Sequence, residues 1–194
     1  YCSKVIPFLI YCAIMQDRRG ILFFTGIKHS GKTTFAKRIA SRLGFEFKDA
    51  DDLISANIGD MSVREFYRQN GKEAFMEVEK ESVSSFLSSA PSSLVLSLGG
   101  GASDNTPLME EMKGKGTIIY LRREKEDMLP VILRNGVPAF LDKDDIQGSF
   151  SALYEKRDGI YRRYADLIVD LGPYGDKDQT ESLIYRALKE KNYV

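Results

Sequence analysis

The chain has no tryptophan, one histidine and two cysteines among its 194 residues. Cys2 and Cys12 both precede the first recognisable motif, so a disulfide framework is excluded and a reducing cytosol is the expected setting. With His29 the sole histidine, His/Cys metal-ligand spacings are missing as well. Charge of either sign is not in excess. Lys+Arg and Asp+Glu number 28 each, which leaves no basic footprint for nucleic acid. The N-terminal apolar run over residues 5–15 is broken by Pro7 and falls short of the ~20 residues that span a bilayer. It resembles the apolar region of a signal peptide, but Gln16-Asp17-Arg18-Arg19 follows without a small-x-small cleavage site. Tyr1 opens the chain and Met15 is the first methionine, so residues 1–14 read as an extension of unknown role ahead of one domain over 15–194. No membrane association is expected.

What is present is an ordinary soluble balance, 43% hydrophobic and 29% charged, in a length suited to one compact domain. The most informative stretch is Gly26-Ile27-Lys28-His29-Ser30-Gly31-Lys32-Thr33-Thr34. It matches G-x-x-x-x-G-K-S/T, the phosphate-binding loop. An apolar run, Ile21-Leu22-Phe23-Phe24-Thr25, precedes it, and a helix-like stretch over 33–43 follows. A loop between a strand and a helix N-terminus aims backbone N–H groups at an anion, and the helix dipole favours negative charge there. Gly26, Ser30, Gly31, Lys32, Thr33 and Thr34 are therefore the expected nucleotide contacts. Lys32 would reach the β/γ-phosphates of ATP, and the Thr33 hydroxyl would ligate Mg²⁺.

Beyond the loop, strand-like and helix-like segments alternate. Short strands are expected at 45–47, 94–98, 117–121 and 167–170. Helices are expected at 51–56, 62–70, 72–88, 124–133, 149–165 and 180–191, with Ser62 and Glu65 forming a capping box. Alternation of this kind predicts a three-layer α/β fold, a parallel sheet with helices on both faces. Ligands then bind beyond the carboxyl ends of the strands. The phosphate loop, the pair Asp49 and Asp51, and Gly99-Gly100-Gly101 each follow a strand, so all three converge on one sheet edge.

These pieces in this order resemble the shikimate kinase family. The second element stands as Phe47-Lys48-Asp49-Ala50-Asp51-Asp52-Leu53-Ile54, the fourth as Gly99-Gly100-Gly101, and the last as Arg157-Asp158-Gly159-Ile160-Tyr161. The resemblance covers about residues 20–190. It implies a lidded P-loop kinase fold and transfer of a phosphoryl group from ATP, with Mg²⁺, to a small-molecule hydroxyl, shikimate first among acceptors. It implies a cytoplasmic monomer. By resemblance, Asp49 holds Mg²⁺, Arg157 binds the substrate and Arg134 contacts ATP.

The chain also departs from the family pattern. The third element reads Gly71-Lys72-Glu73-Ala74-Phe75-Met76, with Lys72 where the family has Glu and Met76 where it has a substrate-binding Arg. Val137 replaces the lid arginine in Val137-Pro138-Ala139-Phe140-Leu141, and His29 stands where the family has Gly. Lys72, Lys143 or Arg134 could offset part of that lost charge.

The residue types fit the chemistry, since phosphoryl transfer is mostly positioning and charge neutralisation. Lys32 and Asp51 are the catalytic candidates, Asp51 taking the acceptor's proton. Each aspartate could equally be a helix cap. Gly99, Gly100 and Gly101 let the backbone approach a polyol and could equally form a plain turn. Arg157 is either a carboxylate fork or a surface arginine beside Arg162 and Arg163. Ser103 or Asp104 is expected to cap the next helix. Two other readings stay open: a kinase for another polyol or sugar acid such as gluconate, and a non-catalytic domain that senses nucleotide or metabolite.

Overall fold

A computed structural model describes residues 20–134, 136–137 and 141–194. The expected extension at 1–14 lies outside the described residues, as do Pro138, Ala139 and Phe140 of the lid segment.

The five strands are β1 Ile21–Thr25, β2 Glu46–Asp49, β3 Leu94–Ser97, β4 Thr117–Arg122 and β5 Leu167–Asp170. They form one sheet in the order β2-β3-β1-β4-β5, and every neighbouring pair is parallel. β3 and β4 are almost wholly buried, which explains their unbroken apolar sequences: a parallel strand covered on both faces has no solvated side. Alternate residues sort to the two faces. Phe23, Leu94, Leu96, Ile118 and Tyr120 enter one core, and Leu22, Phe24, Val95, Ile119 and Leu121 the other.

The helices are α1 Lys32–Leu43, α2 Ala50–Ile58, α3 Val63–Leu87, α4 Thr106–Lys115, α5 Lys125–Leu133, α6 Ile146–Tyr164 and α7 Lys177–Glu190. Phe35 and Ile39 of α1 and Ile184 and Leu188 of α7 close the second core; Val83 of α3, Leu108 of α4 and Tyr161 of α6 close the first. The chain leaves β1 toward β2 and β3 on one side and returns to place β4 on the other. β1 therefore ends at the switch point of the sheet, the place where ligands bind in open α/β folds.

Several boundaries differ from the sequence expectation, most of them for a capping reason. α6 begins before residue 149 because Asp145 accepts from the Gly148 amide at 2.9 Å. α7 begins before 180 because Asp176 accepts from the Asp178 and Gln179 amides, both at 2.8 Å. The two helices expected at 62–70 and 72–88 are one element bent at Gly71, whose φ of 82° and ψ of −178° interrupt it. Ser62 caps that element as expected, accepting from the Glu65 amide at 3.2 Å. The cap after the triple glycine is Asn105 rather than Ser103 or Asp104. Residues 102–104 are spent on a 3₁₀ turn, and Asn105 Oδ1 accepts from the Leu108 amide at 3.3 Å.

Candidate active site

The phosphate loop occupies the turn between β1 and α1. Its tightest point is Gly26, with φ 151°. A Cβ there would stand 2.7 Å from both the Leu121 carbonyl and Ser30 Oγ, so any other residue would have to push the loop off β4. Gly31 takes φ 100° at the N-cap of α1. His29 holds φ 70° without glycine's freedom, so the departure from glycine at this position places a side chain in the left-handed region. Inside the loop, Ser30 Oγ is buried with no hydrogen-bond partner among the described residues. An orphaned hydroxyl in a ring of N–H donors fits an anionic oxygen.

Lys32 is buried, 8% exposed, at the first position of α1. Burial pulls its pKa down to about 8, against the opposing pull of Asp51 and Asp49. Thr33 and Thr34 follow, both exposed. The outer wall of the loop comes from residues that sequence reading missed. Arg123 is 4% exposed; its Nε donates to the Ser30 carbonyl at 3.3 Å and its Nη1 to the Gly172 carbonyl. Its guanidinium lies 4.2 Å from the Tyr174 ring centre, and the Tyr174 hydroxyl donates to the His29 carbonyl at 2.9 Å. The one sequence signal for Arg123 is an arginine pair closing an apolar strand. Arg134 sits exposed at the C-terminal end of α5, within electrostatic reach of Tyr174.

Next to the loop is a set of hard oxygen donors. Register pairs Asp49 of β2 with Ser97 of β3, and Ser97 with Phe24 of β1. Thr33 Oγ1 donates to Asp49 Oδ2 at 2.9 Å and lies 3.3 Å from Ser97 Oγ. The other Asp49 oxygen accepts the Asp51 amide at 3.0 Å, capping α2. Asp49 thus caps α2 through one oxygen and pairs with the Thr33 hydroxyl through the other. No group of three or more His, Cys, Asp or Glu ligands occurs among the described residues. A hydroxyl, one carboxylate and room for phosphate oxygens is instead the donor set of Mg²⁺, which keeps much of its water.

The far wall is the triple glycine. A Cβ on Gly100 would come within 2.9 Å of the Lys28 amide nitrogen, so the two backbones touch only because no side chain intervenes. A Cβ on Gly99 would lie 3.2 Å from Glu79 Oε1 and 3.7 Å from Asp51 Oδ1, which places both carboxyls beside that turn. Asp51 is not a cap. It stays open to solvent by area, yet the protein packed around its carboxyl, and then Asp49, raise its pKa despite the attraction of Lys32. Glu79, which sequence reading passed over as part of a helical face, is only 2% exposed. It accepts from Asn105 Nδ2 at 2.9 Å, and burial pushes its pKa up to about 6.

Arg157 reaches the same turn from α6, but not as a free fork. Its Nη1 donates to the Gly100 carbonyl and its Nη2 to Asp104 Oδ2, each at 3.1 Å. Lys72 Nζ lies 3.8 Å from that same Asp104 oxygen, and Lys156 Nζ 3.4 Å from the other. Burial works against ionisation of Asp104, yet Arg157, Lys72 and Lys156 outweigh it and hold the carboxyl below its usual range. Arg157 Nε remains buried without a partner among the described residues. Val137 is exposed, at 37%.

The geometry can be set beside known proteins. A family model described as shikimate kinase matches residues 28–187. A shikimate kinase of Cupriavidus pinatubonensis is 32% identical over 158 residues, which is 81% of each chain. One from Caldanaerobacter subterraneus is 31% identical over 170 residues, covering 88% of this chain and 97% of that one. Among solved structures, shikimate kinase from Acinetobacter baumannii in complex with shikimate superposes with a TM-score of 0.75 at 26% identity, covering 89% of this chain and 94% of that one.

Proposed function

The chain belongs to the shikimate kinase family, and on that premise we propose that it transfers the γ-phosphoryl group of ATP to a hydroxyl of shikimate. One observation carries the reading: phosphate loop, Thr33–Asp49 pair, Asp51 and triple glycine adjoin one another at the carboxyl ends of β1, β2 and β3. No helix of the described residues is long and apolar enough to cross a membrane. The reading takes a single chain as the active unit and the cytoplasm as its compartment, in keeping with a sequence that holds only two cysteines and a neutral charge balance.

Bound MgATP supplies the phosphoryl group and the cation that neutralises its charge. The loop amides of 26–34 would cradle the phosphates and Lys32 would pair with the transferring group. Thr33 and Asp49 would hold Mg²⁺, with Ser97 orienting the Thr33 hydroxyl. Asp51 would accept the proton of the acceptor hydroxyl, since a carboxyl with raised proton affinity is a better base than an ordinary one. Gly99, Gly100 and Gly101 would let a small ring approach the backbone, and Arg157 would face its carboxylate. Arg134 would contact ATP from the end of α5, as the family pattern has it.

Met76 and Val137 favour a second reading, in which the acceptor is another polyol or sugar acid such as gluconate, or the domain senses without turnover. An ATP-consumption assay across shikimate, quinate, gluconate and nucleoside monophosphates separates these. Shikimate should give the highest kcat/KM. Faster turnover of gluconate, or MgATP binding with no turnover of any acceptor, would replace the reading.

A further inference from the structure

Lys72 is one helical turn before Met76, and residues four apart share a helix face. That face is tied to the end of the triple-glycine turn at successive points. Asn105 Nδ2 donates to the Met76 carbonyl at 2.8 Å and to Glu79 at 2.9 Å, while Lys72 meets the preceding residue, Asp104. From the opposite side Arg157 donates to Asp104 Oδ2, the oxygen that Lys72 also faces. An ammonium and a guanidinium from different helices thus converge on one carboxylate oxygen, beside the Gly101 backbone, where a Cβ would lie 3.5 Å from Arg157 Nη2. Arg157 keeps a buried Nε with no partner among the described residues, so the cluster has donor capacity that Asp104 leaves unused. Lys72 itself is 44% exposed along its side chain and free to swing, since 3.8 Å is an ion-pair distance rather than a hydrogen bond.

We propose that Lys72 is a specificity-determining residue for the acceptor: with Arg157 it forms the carboxylate-binding subsite, supplying from one turn away the cation that position 76 lacks. Asp104 holds the two cations together in the free protein. The inference rests on the shikimate reading above and adds to it the residue that recognises the acid group.

The test compares shikimate with its neutral carboxamide in wild type, Lys72→Met, Lys72→Arg and the double variant Lys72→Met/Met76→Arg. Lys72→Met should raise KM for shikimate about tenfold, the share expected of one partly exposed charged contact, with kcat within about twofold. KM for ATP and the melting temperature should hold steady. KM for the carboxamide should barely change, because the lost cation has no anion to meet. Lys72→Arg should behave as wild type, and adding Met76→Arg should restore the shikimate KM. Equal losses on acid and amide, or a loss in KM for ATP of the same size, overturns the proposal. So does failure of Met76→Arg to rescue a folded Lys72→Met. If wild type itself leaves shikimate unphosphorylated, the underlying reading falls, and the subsite with it.

Discussion

Glu79→Gln should make this protein more stable at neutral and alkaline pH. The carboxyl is 2% exposed, its neighbours Asp51 and Asp104 are acidic, and its only hydrogen-bond donor among the described residues is the neutral Asn105 amide. Its pKa stands at about 6 against an ordinary 4.5. At 1.36 kcal/mol per unit, this upward shift corresponds to about 2 kcal/mol lost when the folded protein carries the ionised group. Below pH ~4.5 both folded and unfolded chains hold the proton and the difference vanishes. Between ~4.5 and ~6 the folded chain binds more protons than the unfolded one, so stability falls as pH rises; above ~6 the whole loss applies. Glutamine matches the shape and keeps an oxygen for Asn105 Nδ2 without the charge. Urea unfolding at pH 4.5, 6 and 8 should show a gain over wild type that approaches ~2 kcal/mol at pH 8 and shrinks to nothing at the acid end. Met76→Arg, three residues earlier on the same face, would supply a counter-charge, and in that background the gain should disappear. A Glu79→Gln variant less stable than wild type at pH 8, or a gain that ignores pH, refutes the argument.

Lys32→Ala should abolish turnover while urea unfolding shows the fold retained, because Lys32 is the buried side-chain cation of the loop, Lys28 being exposed; activity near wild type would remove the nucleotide assignment. Since burial brings Lys32 down to about 8, the free protein loses this charge as pH climbs through 8, and KM for ATP should rise from that point, a flat profile to pH 9.5 contradicting it. Asp49→Asn should weaken the Mg²⁺ dependence, a neutral amide being a poorer ligand for a hard cation, whereas Asp51→Asn should leave ATP binding intact and slow transfer; equal loss of ATP affinity in both would merge the two roles. Met76→Arg with Val137→Arg should raise kcat/KM for shikimate about tenfold or more, the factor of 1.4 kcal/mol, with Arg157→Ala reducing the gain; no gain would count against an acid acceptor.

The local rules carried much of this protein. A strand, a glycine-bounded loop and a helix in immediate succession are set by near neighbours, so the phosphate site at residues 26–34 could be read directly. Continuous apolar strands separated by amphipathic helices implied the parallel sheet, and with it the edge on which Asp49, Asp51 and the triple glycine meet. The caps at Asp145, Asp176 and Asn105 were present in the sequence as well, but Asn105 competed with Ser103 and Asp104, and the 3₁₀ turn over 102–104 settled the choice. What the tertiary structure alone decided is which distant groups share one low-dielectric space. Ser97 comes to Thr33 by strand register, Arg123 to Ser30 by the parallel pairing of β4 with β1, and Glu79 to Gly99 by the lie of a bent helix. Arg157 looked free on its own helix and is paired, because Asp104, 53 residues away, is folded against it. A pKa, an ion pair or an orphaned hydroxyl depends on distances across the chain, and residue order fixes those only once the sheet has closed.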